Sequence, residues 1–171
     1  MNRDYPFRLF DLTGKTIILT GSAGRLGTNF AHALSHAGAD LVLVDSDDEK
    51  NQKLKNIISK ESKTKPFASN TDITNKDKLS QLGRQIKKEY GKIDGLVNNA
   101  FYSPRLDVKR SAMKFEEYPS DLWDDVVSVN LTGVFLCSQE FGKIMIKQKT
   151  GCSIVNISSI YGINGADQRI Y

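Results

Sequence analysis

Apolar residues along this chain switch repeatedly between a strand-like and a helix-like period. KTIILT (15–20) is a short apolar run, the pattern of a parallel strand buried on both faces. Beyond TGSAGRLG (20–27) the period turns helical: Leu26, Phe30, Ala33, Leu34 and Ala37 share one face, and Gly38 stands where the helix should stop. LVLVD (41–45) reads as a second buried strand, and the polar residues 47–62 predict an exposed helix. KPFASN (65–70) predicts a third strand that leads into TDIT (71–74). Thr74 is expected to open the next helix with Asp77 as its capping-box partner. Leu79, Leu82, Ile86 and Tyr90 form its buried stripe, and Gly91 ends it. IDGLVNNA (93–100) is the fourth strand. After a polar loop, Ser120 begins a long helical region containing Trp123, Val126, Val127, Leu131, Val134, Phe135, Phe141 and Met145, which Gly151 closes. CSIVNISS (152–159) supplies the fifth strand. This alternation predicts an α/β fold: a doubly wound parallel sheet, helices on both faces, strand order 3-2-1-4-5.

Composition narrows the picture only slightly. With 171 residues, 39% of them hydrophobic and 26% charged, the chain is long enough to bury a core as one domain. Its net charge of +4 is spread along the sequence, so no nucleic-acid partner is expected. The opening MNRDYPFRLF is charged and lacks the apolar core of a signal peptide, and no apolar run approaches a membrane span, so no membrane partner is expected. Cys137 and Cys152 form no CxxC and read as small buried residues of a protein in the reducing cytoplasm. His32 and His36 are four apart, a spacing that can bind metal, but they lie opposite the Leu26 stripe with no third ligand nearby. They are expected to be solvated, and no metal is expected.

TGSAGRLG carries the first specific chemistry. It sits between a strand and a helix, where glycines let backbone approach a pyrophosphate and the helix start offers free N–H groups and a positive dipole end. Asp45 stands at the tip of the second strand, 18 residues beyond Gly27. A carboxylate there can accept hydrogen bonds from an adenosine ribose diol and would repel a 2′-phosphate, favouring NAD over NADP. The blander reading of Asp45 is a strand-end turn residue. Gly21, Gly24 and Gly27 are spaced GxxGxxG rather than GxGxxG. Arg25, beside Gly24, reads equally as a phosphate contact or as a solvated helix-start residue.

Together these residues resemble the short-chain dehydrogenase/reductase family. TGSAGRLG resembles its cofactor loop, TDIT the acidic pair that meets adenine, and NNA (98–100) the motif ending its fourth strand. WDDVVSVNLTG (123–133) resembles the segment presenting an active-site asparagine, here Asn130, and IVNISSIYG (154–162) the strand bearing the catalytic serine. The resemblance spans about residues 12 to 165 and implies a Rossmann fold. It implies cofactor contacts from Gly21, Ser22, Gly24, Arg25, Leu26, Gly27, Asp45, Asp72, Ile73, Asn99 and Ala100. It also implies hydride transfer between nicotinamide and a small carbonyl or alcohol substrate. Ser159 is preferred over Ser158 because it precedes Gly162 by three and Ser158 would point to the other face of the strand. Within the family, SSIYG and the long loop after NNA most resemble bacterial oxidoreductases found with flagellin-modification and nonulosonic-acid pathways. Arg105, Lys109, Arg110 and Lys114 in that loop suit an anionic, sugar-like substrate, or else form a solvated charged loop.

Two departures stand out. The glycine spacing resembles the family's extended branch, whereas NNA is typical of the shorter one. The family's YxxxK motif is missing: Tyr171 comes twelve residues after Ser159 with nothing following it, and reads as a loop residue. Residues 1–171 are therefore expected to be the N-terminal portion of a longer domain, C-terminally incomplete, holding the cofactor half and two of four catalytic residues. Alone, the chain is expected to be inactive; complete, it is expected to be a homodimer or homotetramer. The alternative functions are a truncated, non-catalytic dinucleotide-binding protein and, more weakly, a nucleic-acid-binding Rossmann domain.

Overall fold

The computed structural model describes residues 9–104, 108–111 and 113–165, so Arg105 and Tyr171 lie outside the described residues. Five parallel strands form one sheet in the order β3-β2-β1-β4-β5. They are β1 (Thr16–Thr20), β2 (Asp40–Asp45), β3 (Phe67–Asn70), β4 (Gly95–Asn98) and β5 (Ser153–Asn156). Helices α1 (Arg25–His36), α2 (Asp48–Glu61) and α3 (Lys76–Tyr90) link the first four strands. Between β4 and β5 come a short helix α4 (Val108–Ser111), then α5 (Ser120–Val127), a π-helical turn (Ser128–Gly133) and α6 (Val134–Gln148).

Strand periodicity divides the core in two. Ile18 pairs with Val42 on one side and Leu96 on the other, and alternate residues of each strand face opposite sides of the sheet. Ile18, Val42, Val44 and Leu96 pack with Leu79, Leu82 and Ile86 of α3 and Cys137, Phe141 and Met145 of α6. Ile17, Leu19, Leu41 and Leu43 pack on the opposite face with Ala31, Leu54 and Ile58. Burying a side chain such as Phe141 or Leu79 stabilises by about 1.5–3 kcal/mol. Helices α3 and α6 approach closely at Gly83, where a Cβ would lie 2.9 Å from the Ile144 side chain. Right-handed crossovers place α1 and α2 on one face as the chain winds one way from β1, and α3 and α6 on the other as it winds back. The reversal opens a crevice beyond the C-terminal ends of β1 and β4.

The sequence expectations need correction at several points. In α1 the buried line is Gly27, Ala31 and Ser35, while Leu26 is 54% exposed and Ala33 is also exposed. Small residues four apart let this helix sit close to the sheet, a signal that hydrophobicity does not register. The helix over 47–62 is not wholly exposed, since Asn51, Leu54 and Ile58 are buried. Asn75, not Thr74, caps α3: its side chain accepts the Lys78 N–H at 3.0 Å, while Thr74 is held in a turn by Asp72. The helix from Ser120 is interrupted by the π-helical turn, and it ends at Lys149 in a left-handed conformation (φ 57°) rather than at Gly151. Strand β5 stops at Asn156, so Ser158 and Ser159 lie beyond it and strand alternation does not orient them.

Two further expectations change for reasons of packing. His32 is not simply solvated: its Nδ1 lies 2.9 Å from Glu61 Oε2, tying α1 to α2, and its ring stacks on His36. Cys137 is buried and its thiol is pushed up to about 12 by burial, but Cys152 is exposed. Cys152 opens the approach to β5, and no residue of that strand is buried: Ile154 and Val155, on opposite faces, are 41% and 47% exposed. A groove of about 450 Å³ runs beside β4 and β5, between Lys15, Leu34, Asp94 and Cys152. Among the described residues no helix is long and apolar enough to cross a membrane.

Candidate functional site

The crevice holds a cleft of about 460 Å³. Its floor is made by the turn after β1. Gly21 adopts φ +63°, a left-handed conformation, and a Cβ there would lie 2.6 Å from the Ala100 Cα. Only glycine lets β1 leave the sheet this close to the exit of β4. Gly27 serves the same turn from the helix side: a Cβ on it would lie 2.0 Å from the Gly21 carbonyl oxygen. The N-cap of α1 is Gly24, which has no side chain to satisfy the first-turn N–H groups. That helix start, bordered by Gly24, Arg25 and Leu26, forms one wall of the cleft. A cradle kept clear of Cβ atoms, with a helix N-terminus behind it, fits the pyrophosphate of a dinucleotide.

The exit of β4 is fastened to this turn through Thr20. Its hydroxyl oxygen accepts the Asn99 N–H at 3.0 Å and the Ala100 N–H at 3.1 Å. Asn99 Nδ2 donates to the carbonyls of Thr20 (3.1 Å) and Gly21 (3.0 Å). Thr20 escaped the sequence reading, although its place just before Gly21 was the available signal. Behind it Asn98 Nδ2 donates to Asn156 Oδ1 at 2.8 Å and to the Ser138 hydroxyl at 3.1 Å, joining β4 to β5 and α6.

At the far end of the cleft, Asp45 finishes β2. Its Oδ2 accepts the Ala23 N–H at 2.8 Å and its Oδ1 the Asp47 N–H at 3.0 Å, so the carboxylate also shapes the turn. Asp47 caps α2, accepting the Lys50 N–H at 3.1 Å, and its other oxygen pairs with the Lys50 ammonium at 2.6 Å. The side-chain bond to Lys50 holds the Asp47 carboxyl below the usual range. Asp72 accepts from both the N–H and the hydroxyl of Thr74, at 2.9 and 2.8 Å, in a turn before α3. Ile73 packs against the π-helical turn, where a Cβ on Gly133 would lie 2.6 Å from its Cδ1.

Of the residues singled out in the sequence, Gly21, Gly24, Arg25, Leu26, Asp45, Asp72, Ile73, Asn99 and Ala100 all line this one cleft. Ser22 and Gly27 do not. Ser22 is fully buried and donates to Asn51 Oδ1 at 2.8 Å, anchoring the turn to α2. Asn51 in turn donates to the Leu43 carbonyl at 3.0 Å. The sequence reading missed Ser46, Asp47, Lys50 and Tyr102, which also line the cleft.

Asn130 and Ser159 stand outside the cleft lining. Asn130 sits in the π-helical turn, a local distortion that recurs at functional sites. Its amide closes on one residue of the cleft wall, accepting the Tyr102 N–H at 2.8 Å and donating to the Tyr102 carbonyl at 2.9 Å. Ser159 follows β5, and its hydroxyl accepts the Tyr161 N–H at 3.2 Å to cap a single 3₁₀ turn, Ile160–Gly162. In the basic loop, Arg110 contacts both oxygens of Asp121 at 2.6 Å and holds that carboxyl below the usual range. Lys109 and Lys114 are exposed. Among the described residues, no three His, Cys, Asp or Glu side chains are grouped to hold a metal ion.

Comparison with known proteins adds a lineage to this geometry. The family model for short chain dehydrogenases matches residues 15–171. The 5-keto-D-gluconate 5-reductase of Escherichia coli strain K12 is 34% identical over 159 residues, which is 93% of this chain and 59% of the reductase. The structure of an NAD+-bound xylitol dehydrogenase superposes with a TM-score of 0.80 at 29% identity, covering 91% of this chain and 56% of that one. A metagenomic short-chain oxidoreductase in complex with NADP superposes equally well, with a TM-score of 0.80 at 27% identity, covering 91% of this chain and 67% of that one. The chain thus spans less than two thirds of the length of the reductase and of xylitol dehydrogenase.

Proposed function

The chain belongs to the short-chain dehydrogenase family, and on that premise we propose that it is the dinucleotide-binding portion of an NAD-dependent oxidoreductase interconverting a carbonyl and an alcohol on a small, sugar-like substrate. The observation that carries this reading is the cradle at Gly21, where a Cβ would strike Ala100 at 2.6 Å in front of an uncapped helix start. When bound, the nicotinamide of such a cofactor supplies the redox chemistry.

The chain's own residues bind and orient. Backbone at Gly21, Gly24 and Leu26, with the Arg25 guanidinium, holds the pyrophosphate. Ser22 and Gly27 keep that loop in shape from behind. Asp45 accepts from the adenosine ribose and disfavours a 2′-phosphate, so NAD is taken in preference to NADP. Asp72 and Ile73 meet the adenine, and Asn99 and Ala100 carry the floor towards the nicotinamide end. Ser159 steadies the substrate oxygen, and Asn130 keeps the adjoining loop in register. A sugar-like substrate agrees with the gluconate and xylitol relatives, and Lys109 and Lys114 favour an anionic one. The flagellin-modification subgroup rests on SSIYG and the loop after NNA alone. Assembly into a homodimer or homotetramer is supported by Leu131, Phe135 and Ile146 of the π-helical turn and α6, which are 67%, 57% and 80% exposed. A cytoplasmic site of action is part of the reading and rests on the two free cysteines.

A second reading, dinucleotide binding without turnover, is favoured by one observation: Asn130 and Ser159 stand outside the cleft lining, each bonded to backbone. Calorimetric titration with NAD(H) and NADP(H) tests both readings. Saturable binding with NAD(H) preferred supports the cofactor assignment, and binding of neither contradicts it. Binding without oxidation of any polyol or reduction of any keto-sugar, by the longest natural form of the protein, would favour the second reading over the first.

A further inference from the structure

The ribose end of the cleft carries charges that the motifs do not account for. Asp45, Asp47 and Lys50 line it together. Both oxygens of Asp45 are already engaged by backbone N–H groups, which fixes the carboxylate in place. Lys50 is the opposite case: its side chain is 70% exposed and is held by the 2.6 Å contact with Asp47. Among the described residues lining the cleft, only Arg25 and Lys50 are cationic, and Arg25 stands at the start of α1, beside the phosphate cradle. A phosphate on the adenosine ribose would therefore find one cation at its end of the cleft, already neutralised by a carboxylate three residues before it. The pairing is mutual, since Asp47 raises the Lys50 ammonium above the usual lysine range.

Resting on the NAD reading above, we propose that the Asp47–Lys50 pair is a second determinant of cofactor choice, in which Asp47 withholds Lys50 from a ribose 2′-phosphate and so reinforces the exclusion of NADP(H) begun by Asp45. Asp45 acts by repulsion. Asp47 acts by occupying Lys50, the one cationic side chain among the described residues lining that end. The two effects are separable because Asp47 has two oxygens with different tasks, one capping α2 and one binding Lys50.

Asp47→Asn separates them. Asparagine caps helices as well as aspartate does, so the acceptor for the Lys50 N–H survives while the ion pair is lost. NAD(H) and NADP(H) are titrated calorimetrically against the unaltered protein, D47N, K50A and D47N/K50A. In low salt D47N should bind NADP(H) about fivefold more tightly, the scale of one exposed charge pair, with NAD(H) changed by less than about twofold. The gain should vanish in D47N/K50A and shrink as salt is added. The inference is overturned if D47N shifts both dinucleotides alike, leaves NADP(H) affinity unchanged, or keeps its gain without Lys50. Failure of the unaltered protein to bind NAD(H) would contradict the cofactor reading itself. NAD(H) binding with an unresponsive D47N would contradict only the role of the pair.

Discussion

Two amide side chains at opposite ends of the sheet make the same pair of hydrogen bonds. Where the strands begin, Gln148 accepts the Ile93 N–H at 2.8 Å and donates to the Ile93 carbonyl at 3.0 Å. Where they finish, Asn130 does the same to Tyr102, at 2.8 and 2.9 Å. Each amide satisfies both backbone groups of one residue flanking β4, as a neighbouring strand would. Their surroundings differ. Ile93 is fully buried, and beside it Asp94 accepts the Thr16 N–H at 2.9 Å and pairs with Lys92 at 3.0 Å and Lys15 at 3.5 Å. Tyr102 is exposed and lines the cleft. At the first end polar groups satisfy one another, whereas at the second glycines and an uncapped helix leave backbone open to a ligand. The same clamp therefore serves stability at one end and the shape of a binding wall at the other.

The largest effect expected from breaking this contrast is at Gly21. Gly21→Val forces a branched side chain into a left-handed turn and against Ala100, costing at least about 2 kcal/mol of stability. It should abolish dinucleotide binding in whatever fraction folds, as read by calorimetry alongside urea denaturation. Next come the two clamps. Gln148→Ala leaves the buried Ile93 N–H unsatisfied, its carbonyl keeping the Cys152 thiol at 3.4 Å, and should cost about 1–3 kcal/mol in denaturant, with NAD(H) affinity unchanged. Asn130→Ala frees an exposed segment, so its stability loss should be smaller, about 0.5–1.5 kcal/mol. Its NAD(H) affinity should nevertheless fall several-fold. Equal affinity losses in the two variants would erase the distinction.

Asp94 adds a pH signature to the first end. Burial pushes its carboxyl upwards, but the Thr16 N–H, Lys92 and Lys15 outweigh that and hold it below the ordinary value of 3.8. Its folded pKa is thus below its unfolded one, so its contribution is complete above about pH 4 and is lost as pH falls through the folded value. Asp94→Asn should flatten the acid limb of the stability curve below about pH 4, measured by denaturation across pH, without touching NAD(H) affinity. Asp45→Ala leaves stability at the first end untouched and should narrow the gap between NAD(H) and NADP(H), weakening the former and admitting the latter, as read by calorimetric titration of both.

Strand order and the two-faced core were legible because fully buried strands such as IILT and LVLV leave an unbroken apolar run. The glycine turn and Asp45 were legible because a tight turn and a strand end leave residue types at fixed spacing, and Asn99 was legible through the resemblance of NNA to a family motif. Other features wrote no such signal. The Gly27, Ala31 and Ser35 seam of α1 is made of small residues that hydrophobic periodicity passes over. Lys50 reads as one more charge on a polar helix, and only the cap at Asp47 brings it to the cleft. The π-helical turn around Asn130 is invisible in a pattern that looks like one continuous helix. Ser159 was singled out by motif, yet its orientation could not be argued from strand alternation, because β5 ends three residues earlier.

The division between a ligand-binding end and a self-satisfied end is tested most directly by backbone amide hydrogen exchange, with and without saturating NAD(H). Slowed exchange confined to residues 21–26, 45–50 and 99–102, with residues 15–16, 93–94 and 148–153 unchanged, is the predicted result. Slowed exchange at the second set with none at the first would contradict it.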